Sequence, residues 1–166
     1  MKTGARELKE LMLQKPRLTL AVAESLTAGH VQSLIAAVSG SSEYFLGGVT
    51  AYSLDQKVRL LGVNRAEAKA VNCVSAQVAE QMAHGALKLF GSDLAVATTG
   101  YAEPSPQDGI EAPFAWWALA WRQGKGKPWL RHGCVECFGS KRVETQAIVA
   151  EAALAELIAW LREVRG

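Results

Sequence analysis

Apolar residues along this chain fall into two kinds of run, which predict alternating helices and strands. Segments 3–14, 75–90 and 140–163 place apolar residues at helical spacing among charged ones, which predicts amphipathic helices. LTLAVA at 18–23 and DLAVATTG at 93–100 have strand length and almost no charge. Such runs are typical of strands covered on both faces, as in a parallel sheet between helix layers.

The remaining pattern completes a layered α/β arrangement. It predicts a helix from about 27 to 38, a strand at 45–53, a helix at 55–61, an irregular loop at 101–113 and a hairpin joined by QGKGKP. The residues expected to face inward from the helices are Leu8, Leu11, Met12, Val31, Leu34, Ile35, Val38, Val78, Met82, Leu89, Ile148, Leu154, Leu157, Ile158 and Leu161. We therefore predict a three-layer α/β/α sandwich with a mixed sheet of about five strands, forming one domain over residues 1–166.

Composition narrows the setting of this domain. The chain has 166 residues, 49% of them hydrophobic, which suits one domain with a sizeable core. Its formal charge of +2 lacks the basic bias of a dedicated nucleic-acid binder, so no nucleic-acid partner is expected. We expect a cytoplasmic protein without a membrane contact, because no signal-like or spanning segment is present. Three scattered cysteines agree with a reducing compartment.

Hydroxyl residues follow two of the predicted parallel strands. Ser25 and Thr27 follow the first strand, and Thr98 and Thr99 end the third, so these side chains are expected at one edge of the sheet, where ligands bind. Ser25 has two interpretations: a cap that accepts a helix N–H, or a nucleophile that needs a base. Lys57, beside Tyr52, is a candidate base, although a solvated lysine is the simpler interpretation. The histidines His30, His84 and His132 lie in no recognisable partner motif.

Four motifs in fixed order give the chain a family resemblance. They are A-E-S-x-T-x-G from Ala23, G-S-S from Gly40, G-G-V-x-A-Y-S from Gly47 and K-x-x-L-L-G-V from Lys57. Together they resemble the C-terminal domain of the CinA family, the nicotinamide mononucleotide deamidases. The resemblance runs from about Glu7 to Leu161 and implies the same three-layer fold.

The resemblance also implies an activity and a set of site residues. Members of this family hydrolyse the carboxamide of nicotinamide mononucleotide to nicotinate mononucleotide and ammonia, without a metal or other cofactor. Matched by motif, the catalytic residues would be Ser25 as nucleophile, with Tyr52 and Lys57 as the proton-transferring pair. The expected substrate-binding residues are Glu24, Thr27, Gly29, Gly48, Thr99, Gly100 and Arg142. The expected partner is a small-molecule nucleotide, and the chain is expected to form a homo-oligomer.

The chain departs from the family pattern at two places. The family has E-S-C-T-G-G where this chain has Glu24 to Gly29 with Leu26 and Ala28, and its T-G-I-A-G-P-G-G-G loop is replaced by residues 99–109. Glycines let backbone N–H groups approach a phosphate closely, whereas Glu103 adds a negative charge. We therefore keep a catalytically silent or retargeted relative, which binds a nucleotide or a protein, as the alternative function.

Three other features favour structural roles. Cys134 and Cys137 have C-x-x-C spacing, but with no second ligand pair they are expected to be packed core thiols. Trp116, Trp117 and Trp121 are expected to pack between sheet and helix or at a subunit contact. The cations of the QGKGKP hairpin are expected to be solvated, with an RNA-binding module as the third and weakest functional hypothesis.

Overall fold

The computed structural model describes residues 4–166, so the predicted helix start at residue 3 lies outside it. The strands are β1 (Leu20–Glu24), β2 (Phe45–Thr50), β3 (Leu94–Tyr101), β4 (Phe114–Trp121) and β5 (Trp129–Glu136). The α-helices are α1 (Gly4–Leu13), α2 (His30–Ala36), α3 (Leu54–Leu61), α4 (Arg65–Ala70), α5 (Ala76–Phe90) and α6 (Arg142–Arg165). The five strands form one sheet in the order β2-β1-β3-β4-β5.

The strand directions decide where polar strand ends meet. β1 pairs in parallel with both β2 and β3, whereas β4 pairs antiparallel with both β3 and β5. The carboxyl ends of β1, β2 and β3 therefore lie at one edge of the sheet, and the residues after them share that edge. The expected mixed sheet in an α/β fold is confirmed.

Each face of the sheet is covered by its own helices. Leu20 and Val22 of β1 belong to a core of large side chains with α1, α2 and α6, whereas Ala21 and Ala23 pack with α3 and α5. Alternate residues of a strand point to opposite faces, so one strand supplies both cores. The alanine face lets α5 approach closely, and Gly85 on α5 lies directly against the backbone of Leu61.

Several sequence predictions need correction. The helix expected from 27 begins only at His30, because Ala28 and Gly29 have φ angles of 47° and 99°, which no α-helix contains. Leu89 and Ile148 were expected inward but are 46% and 40% exposed, because the helix faces buried against the sheet pass through neighbouring residues such as Leu87 and Val149. Loop 101–113 is not wholly irregular: it contains a 3₁₀ turn at Pro106–Asp108 and a bridge between Ser105 and Ile110.

The structure also gives the helix caps and the positions of Cys134 and Cys137. Ser53, Asn64 and Ser75 cap the helices α3, α4 and α5 by accepting backbone N–H groups. Cys137 is buried as expected, but Cys134 is exposed, so the prediction of two packed thiols was wrong for Cys134. Cys134 lies on β5, the last strand of the sheet, where burial alternates residue by residue. Within the described residues no helix is long and apolar enough to cross a membrane.

Candidate active site

A pocket of about 320 Å³ opens at the carboxyl edge of β1, β2 and β3. It is lined by Ser25, Leu26, Tyr52, Lys57, Asn72, Cys73, Val74, Thr99, Gly100, Tyr101, Ala102, Glu103, Pro104, Ser105, Gln107 and Arg142. Six of the ten predicted site residues are in this lining: Ser25, Tyr52, Lys57, Thr99, Gly100 and Arg142. The other four, Glu24, Thr27, Gly29 and Gly48, lie outside it.

Ser25 and Lys57 are in direct contact at the base of the pocket. Lys57 Nζ donates a hydrogen bond to Ser25 Oγ at 2.9 Å and a second one to the carbonyl oxygen of Tyr52 at 3.1 Å. Ser25 is 8% exposed and Lys57 only 2%. Ser25 does not cap α2, so the cap interpretation was wrong, and its hydroxyl is instead held beside an amine.

The environment of Lys57 favours its neutral form. Within residues 4–166, Lys57 has no salt bridge to a carboxylate, and burial lowers the pKa of its ammonium below the ordinary value of 10.5. A charge on nearby Cys73 acts in the opposite direction and raises that pKa. When Lys57 is neutral, its lone pair can accept the Ser25 proton across the same contact. The pair thus has the geometry of a nucleophile and its base.

Tyr52 takes a different position from that expected for a proton-transferring partner of Lys57. The residue is 53% exposed, and its hydroxyl accepts a hydrogen bond from Arg142 Nη2 at 2.6 Å. Its link to Lys57 runs through the main-chain carbonyl instead. In the described chain, the Tyr52 hydroxyl has no hydrogen bond to Ser25 or Lys57, so the structure brings the three residues together without joining all three side chains.

Glu24 supports helix α2 instead of lining the pocket. Its buried carboxylate accepts the N–H of Val31 at 2.8 Å, the N–H of Gln32 at 3.3 Å and the Gln32 side-chain amide at 2.9 Å. Gly48 belongs to the same arrangement, because a Cβ there would lie 2.6 Å from the Gln32 side chain. These N–H groups are therefore occupied, and the start of α2 is not available to stabilise an oxyanion.

The threonines divide between the two faces of the sheet. Thr27 and Thr98 share a buried hydrogen bond of 2.7 Å between their hydroxyls, on the side of α2. Thr99 lies in the pocket and donates to the Cys73 carbonyl at 2.6 Å. Gly100 has a packing reason for its identity, because a Cβ would collide with the carbonyl oxygen of Phe114 on β4.

Asn72 and Cys73 form a wall of the pocket that was not among the predicted site residues. Both have positive φ angles, 49° and 62°, which are uncommon for residues other than glycine. Asn72 donates from its side chain to the Tyr101 hydroxyl at 3.1 Å, so this turn contacts the end of β3. Asn72 comes shortly before Ser75, the cap of α5, and an Asn at such a position predicts a turn. No local sequence pattern predicts that this turn faces the site.

Arg142 closes one side of the pocket from the start of α6. Its Nη1 donates to Glu103 Oε1 at 2.8 Å, while Nη2 donates to Tyr52. Glu144 accepts the N–H of Lys141 at 2.9 Å and so fixes the first turn of α6. Arg142 is therefore held between residues that follow β2 and β3. No group of three or more His, Cys, Asp or Glu residues in 4–166 is placed to hold a metal ion.

Comparison with known proteins decides the family. The model of the CinA C-terminal domain matches residues 3–161. This chain belongs to the CinA C-terminal domain family. It is 40% identical over 169 aligned residues to a CinA-like protein of Chlorobium limicola, covering 99% of this chain and 39% of that protein. A putative competence-damage inducible protein of Shouchella clausii is 44% identical over 115 residues, covering 69% of this chain and 28% of that protein.

Solved structures of this family have the same fold. A competence-damaged protein (CinA) superfamily protein from Klebsiella pneumoniae superposes with a TM-score of 0.86 and 25% identity, covering 98% of this chain and 99% of that one. The curated relatives named above are much longer than this chain, which spans about 39% and 28% of their lengths. The match therefore concerns this domain, and the activity of the longer proteins is a separate question.

Proposed function

We propose that this domain is an amidohydrolase that acts on a pyridine nucleotide of the nicotinamide mononucleotide type and releases ammonia. The observation that carries the proposal is the 2.9 Å contact between the Ser25 hydroxyl and the buried Lys57 amine, in a pocket at the carboxyl edge of the sheet. A serine hydroxyl becomes a useful nucleophile only beside a base, and a lysine becomes a base near neutral pH only when burial lowers its pKa.

The proposed reaction has two halves. In the first, Ser25 Oγ attacks the carboxamide carbon while neutral Lys57 takes the hydroxyl proton, and Lys57 then gives this proton to the leaving nitrogen, so that ammonia departs and an acyl ester remains on Ser25. In the second, Lys57 takes a proton from water, the resulting hydroxide equivalent attacks the ester, and the proton returns to Ser25 as the carboxylate leaves. One water is consumed and one ammonia is released.

The remaining lining residues receive supporting roles in this proposal. The Tyr52 carbonyl fixes the amine of Lys57, and Thr99 fixes the wall formed by Cys73. A specific observation also favours the alternative, a retargeted or silent relative: Arg142, an expected substrate-binding residue and the cation at the pocket mouth that a phosphate would contact, is already paired with Glu103 of the altered loop. A retargeted enzyme would still use the Ser25–Lys57 pair for catalysis, whereas a silent protein would give this pair no catalytic role.

Ammonia release from nicotinamide mononucleotide and related amides tests the proposal. We expect Ser25→Ala to lose at least about a hundredfold in kcat, because the hydroxyl forms the covalent bond, while stability changes by no more than about 1 kcal/mol. Ser33→Ala, which removes an exposed hydroxyl from α2, is the matched control and should keep full activity. Retained turnover in Ser25→Ala would exclude the acyl-enzyme.

A further inference from the structure

The mouth of the pocket contains an ion pair that amide hydrolysis does not need. Arg142 Nη1 donates to Glu103 Oε1 at 2.8 Å, and Arg142 Nη2 donates to the Tyr52 hydroxyl at 2.6 Å. Both arms of the guanidinium are thus engaged by side chains of this chain. A phosphate group that bound the Nη1 side of Arg142 would compete with the Glu103 carboxylate for the same N–H donors, and one bound elsewhere on the guanidinium would still lie close to that carboxylate.

The charge balance of the lining points the same way. The Lys, Arg, Asp and Glu residues that line the pocket are Lys57, Glu103 and Arg142. At the mouth Glu103 cancels the charge of Arg142, and the remaining cation of the lining, Lys57, is held at the base by Ser25 and the Tyr52 carbonyl. The mouth therefore offers little net positive charge to a dianion. This is a poor environment for a phosphate but an acceptable one for an uncharged or cationic group.

Moving the Glu103 side chain aside does not remove its charge from the site. Ala102 before it is buried, and Ala102, Pro104 and Ser105 all line the pocket, so the backbone of Glu103 stays at the mouth. Ser105 is itself fixed by a hydrogen bond from its hydroxyl to Asp108 at 2.5 Å. A displaced carboxylate would therefore remain within a short distance of any phosphate bound to Arg142 and repel it.

We propose that Glu103 is a specificity-determining residue that makes this domain select a carboxamide substrate without a 5′-phosphate, a nucleoside in preference to the nucleotide. This inference rests on the proposed function for the amide chemistry, and it replaces the nucleotide named there as substrate with the corresponding nucleoside. The favoured substrate would be of the nicotinamide riboside type, whose pyridinium ring is cationic and whose sugar end carries no negative charge.

The test compares kcat/KM for nicotinamide riboside and nicotinamide mononucleotide, by ammonia release, in the wild-type protein and in Glu103→Gln. Wild-type protein should prefer the riboside. Glu103→Gln keeps the size of the side chain and an oxygen that accepts from Arg142, and it should raise the ratio of nucleotide to nucleoside kcat/KM by about tenfold, because one nearby like charge is removed. The matched control is Glu111→Gln, which removes the same charge from an exposed position of the same loop outside the pocket lining, and it should leave the ratio unchanged.

A second arm shows whether any gain depends on Arg142. Inorganic phosphate should raise the Tm of Glu103→Gln but not that of the wild-type protein, and the double variant Glu103→Gln/Arg142→Gln should lose this response. A wild-type preference for the nucleotide, an unchanged ratio in Glu103→Gln, or an equal shift in Glu111→Gln would each overturn the inference.

Calorimetric titration with the same two ligands separates failure of this inference from failure of the proposed function. If neither amide is hydrolysed but Glu103→Gln still shifts the ratio of the two Kd values toward the nucleotide, the proposed hydrolysis is wrong and the role of Glu103 stands. If neither ligand binds to either protein, the role of Glu103 is wrong as well.

Discussion

Replacement of Glu24 by alanine tests whether this residue serves the fold or the ligand. The family resemblance assigns it to substrate binding, whereas the structure places its carboxylate beneath the first turn of α2. Glu24→Ala removes three hydrogen bonds at once: those from the N–H groups of Val31 and Gln32 and from the Gln32 side chain. We expect the main effect to be a lower free energy of unfolding.

The expected size follows from these three contacts. A hydrogen bond to a charged group contributes about 1.5–3 kcal/mol, and a buried N–H without a partner costs about 1–3 kcal/mol. Val31 is fully buried, so its N–H has no route to water, whereas Gln32 is partly exposed and can rebind water. Because the unpaired Val31 N–H dominates and Gln32 recovers part of its loss from water, we expect Glu24→Ala to cost about 3–5 kcal/mol. Glu24→Gln keeps an acceptor for Val31 but turns an amide toward the Gln32 amide, and should cost about 1–2 kcal/mol.

Urea unfolding followed by far-UV circular dichroism measures both variants, with Glu111→Ala as an exposed carboxylate control. Because small domains are stable by only about 5–15 kcal/mol, Glu24→Gln keeps the test usable if Glu24→Ala does not fold. The reasoning would be refuted if Glu24→Ala unfolded within about 0.5 kcal/mol of the control while losing affinity for nicotinamide riboside or nicotinamide mononucleotide.

Three further predictions concern Lys57 and the turn before α2. Burial lowers the pKa of Lys57, so kcat/KM should rise with pH as Lys57 loses its proton and reach a plateau below the ordinary lysine value of 10.5; a rate that falls over this range would contradict the assignment. The same shift means that the unfolded chain binds more protons than the folded one between the two pKa values, so stability rises with pH through this window, and at neutral pH, below the unfolded value, the burial of Lys57 lowers the stability of the fold. Lys57→Met should therefore abolish turnover without lowering Tm, and a clearly lower Tm would show that the hydrogen bonds of Lys57 outweigh its desolvation. Ala28 has a φ of 47° in an exposed turn, so Ala28→Gly should raise the free energy of unfolding by about 0.5–1 kcal/mol in urea, and a loss of stability would show that the turn relaxes without strain.

The fold was predictable because its signals are local and strong. The charge-free run ending at Ala23 requires cover on both faces, and this alone indicates a parallel sheet between helix layers. The errors arose where the local pattern is ambiguous. Leu89 and Ile148 have the spacing of buried residues. Tertiary packing decides which row of side chains on a long helix meets the sheet, and in both helices it is a row that excludes these two residues.

The site was predictable only in part. The residue types after β1 and β2 indicated Ser25 and Lys57, but the burial of Lys57 depends on how α3 packs against the sheet, which no local pattern reveals. The wall at Asn72 and Cys73 depends on a contact between Cys73 and Thr99, which are 26 positions apart. Arg142 and Glu103, which form an ion pair, are 39 positions apart. Contacts of this kind follow from the tertiary arrangement and not from the spacing of a motif.

The separate positions of Glu24 and Ser25 could have been predicted from the sequence. Successive residues of a strand point to opposite faces, so Glu24 and Ser25 at the end of β1 must serve opposite sides of the sheet. Val22 packs on the side of α2, and Ala23 packs on the side of α3. Glu24 therefore follows Val22 and reaches the N–H groups of α2, while Ser25 follows Ala23 and reaches Lys57 on α3. A carboxylate and a hydroxyl that are adjacent in sequence thus make separate contacts, and of the two only the hydroxyl of Ser25 lines the pocket.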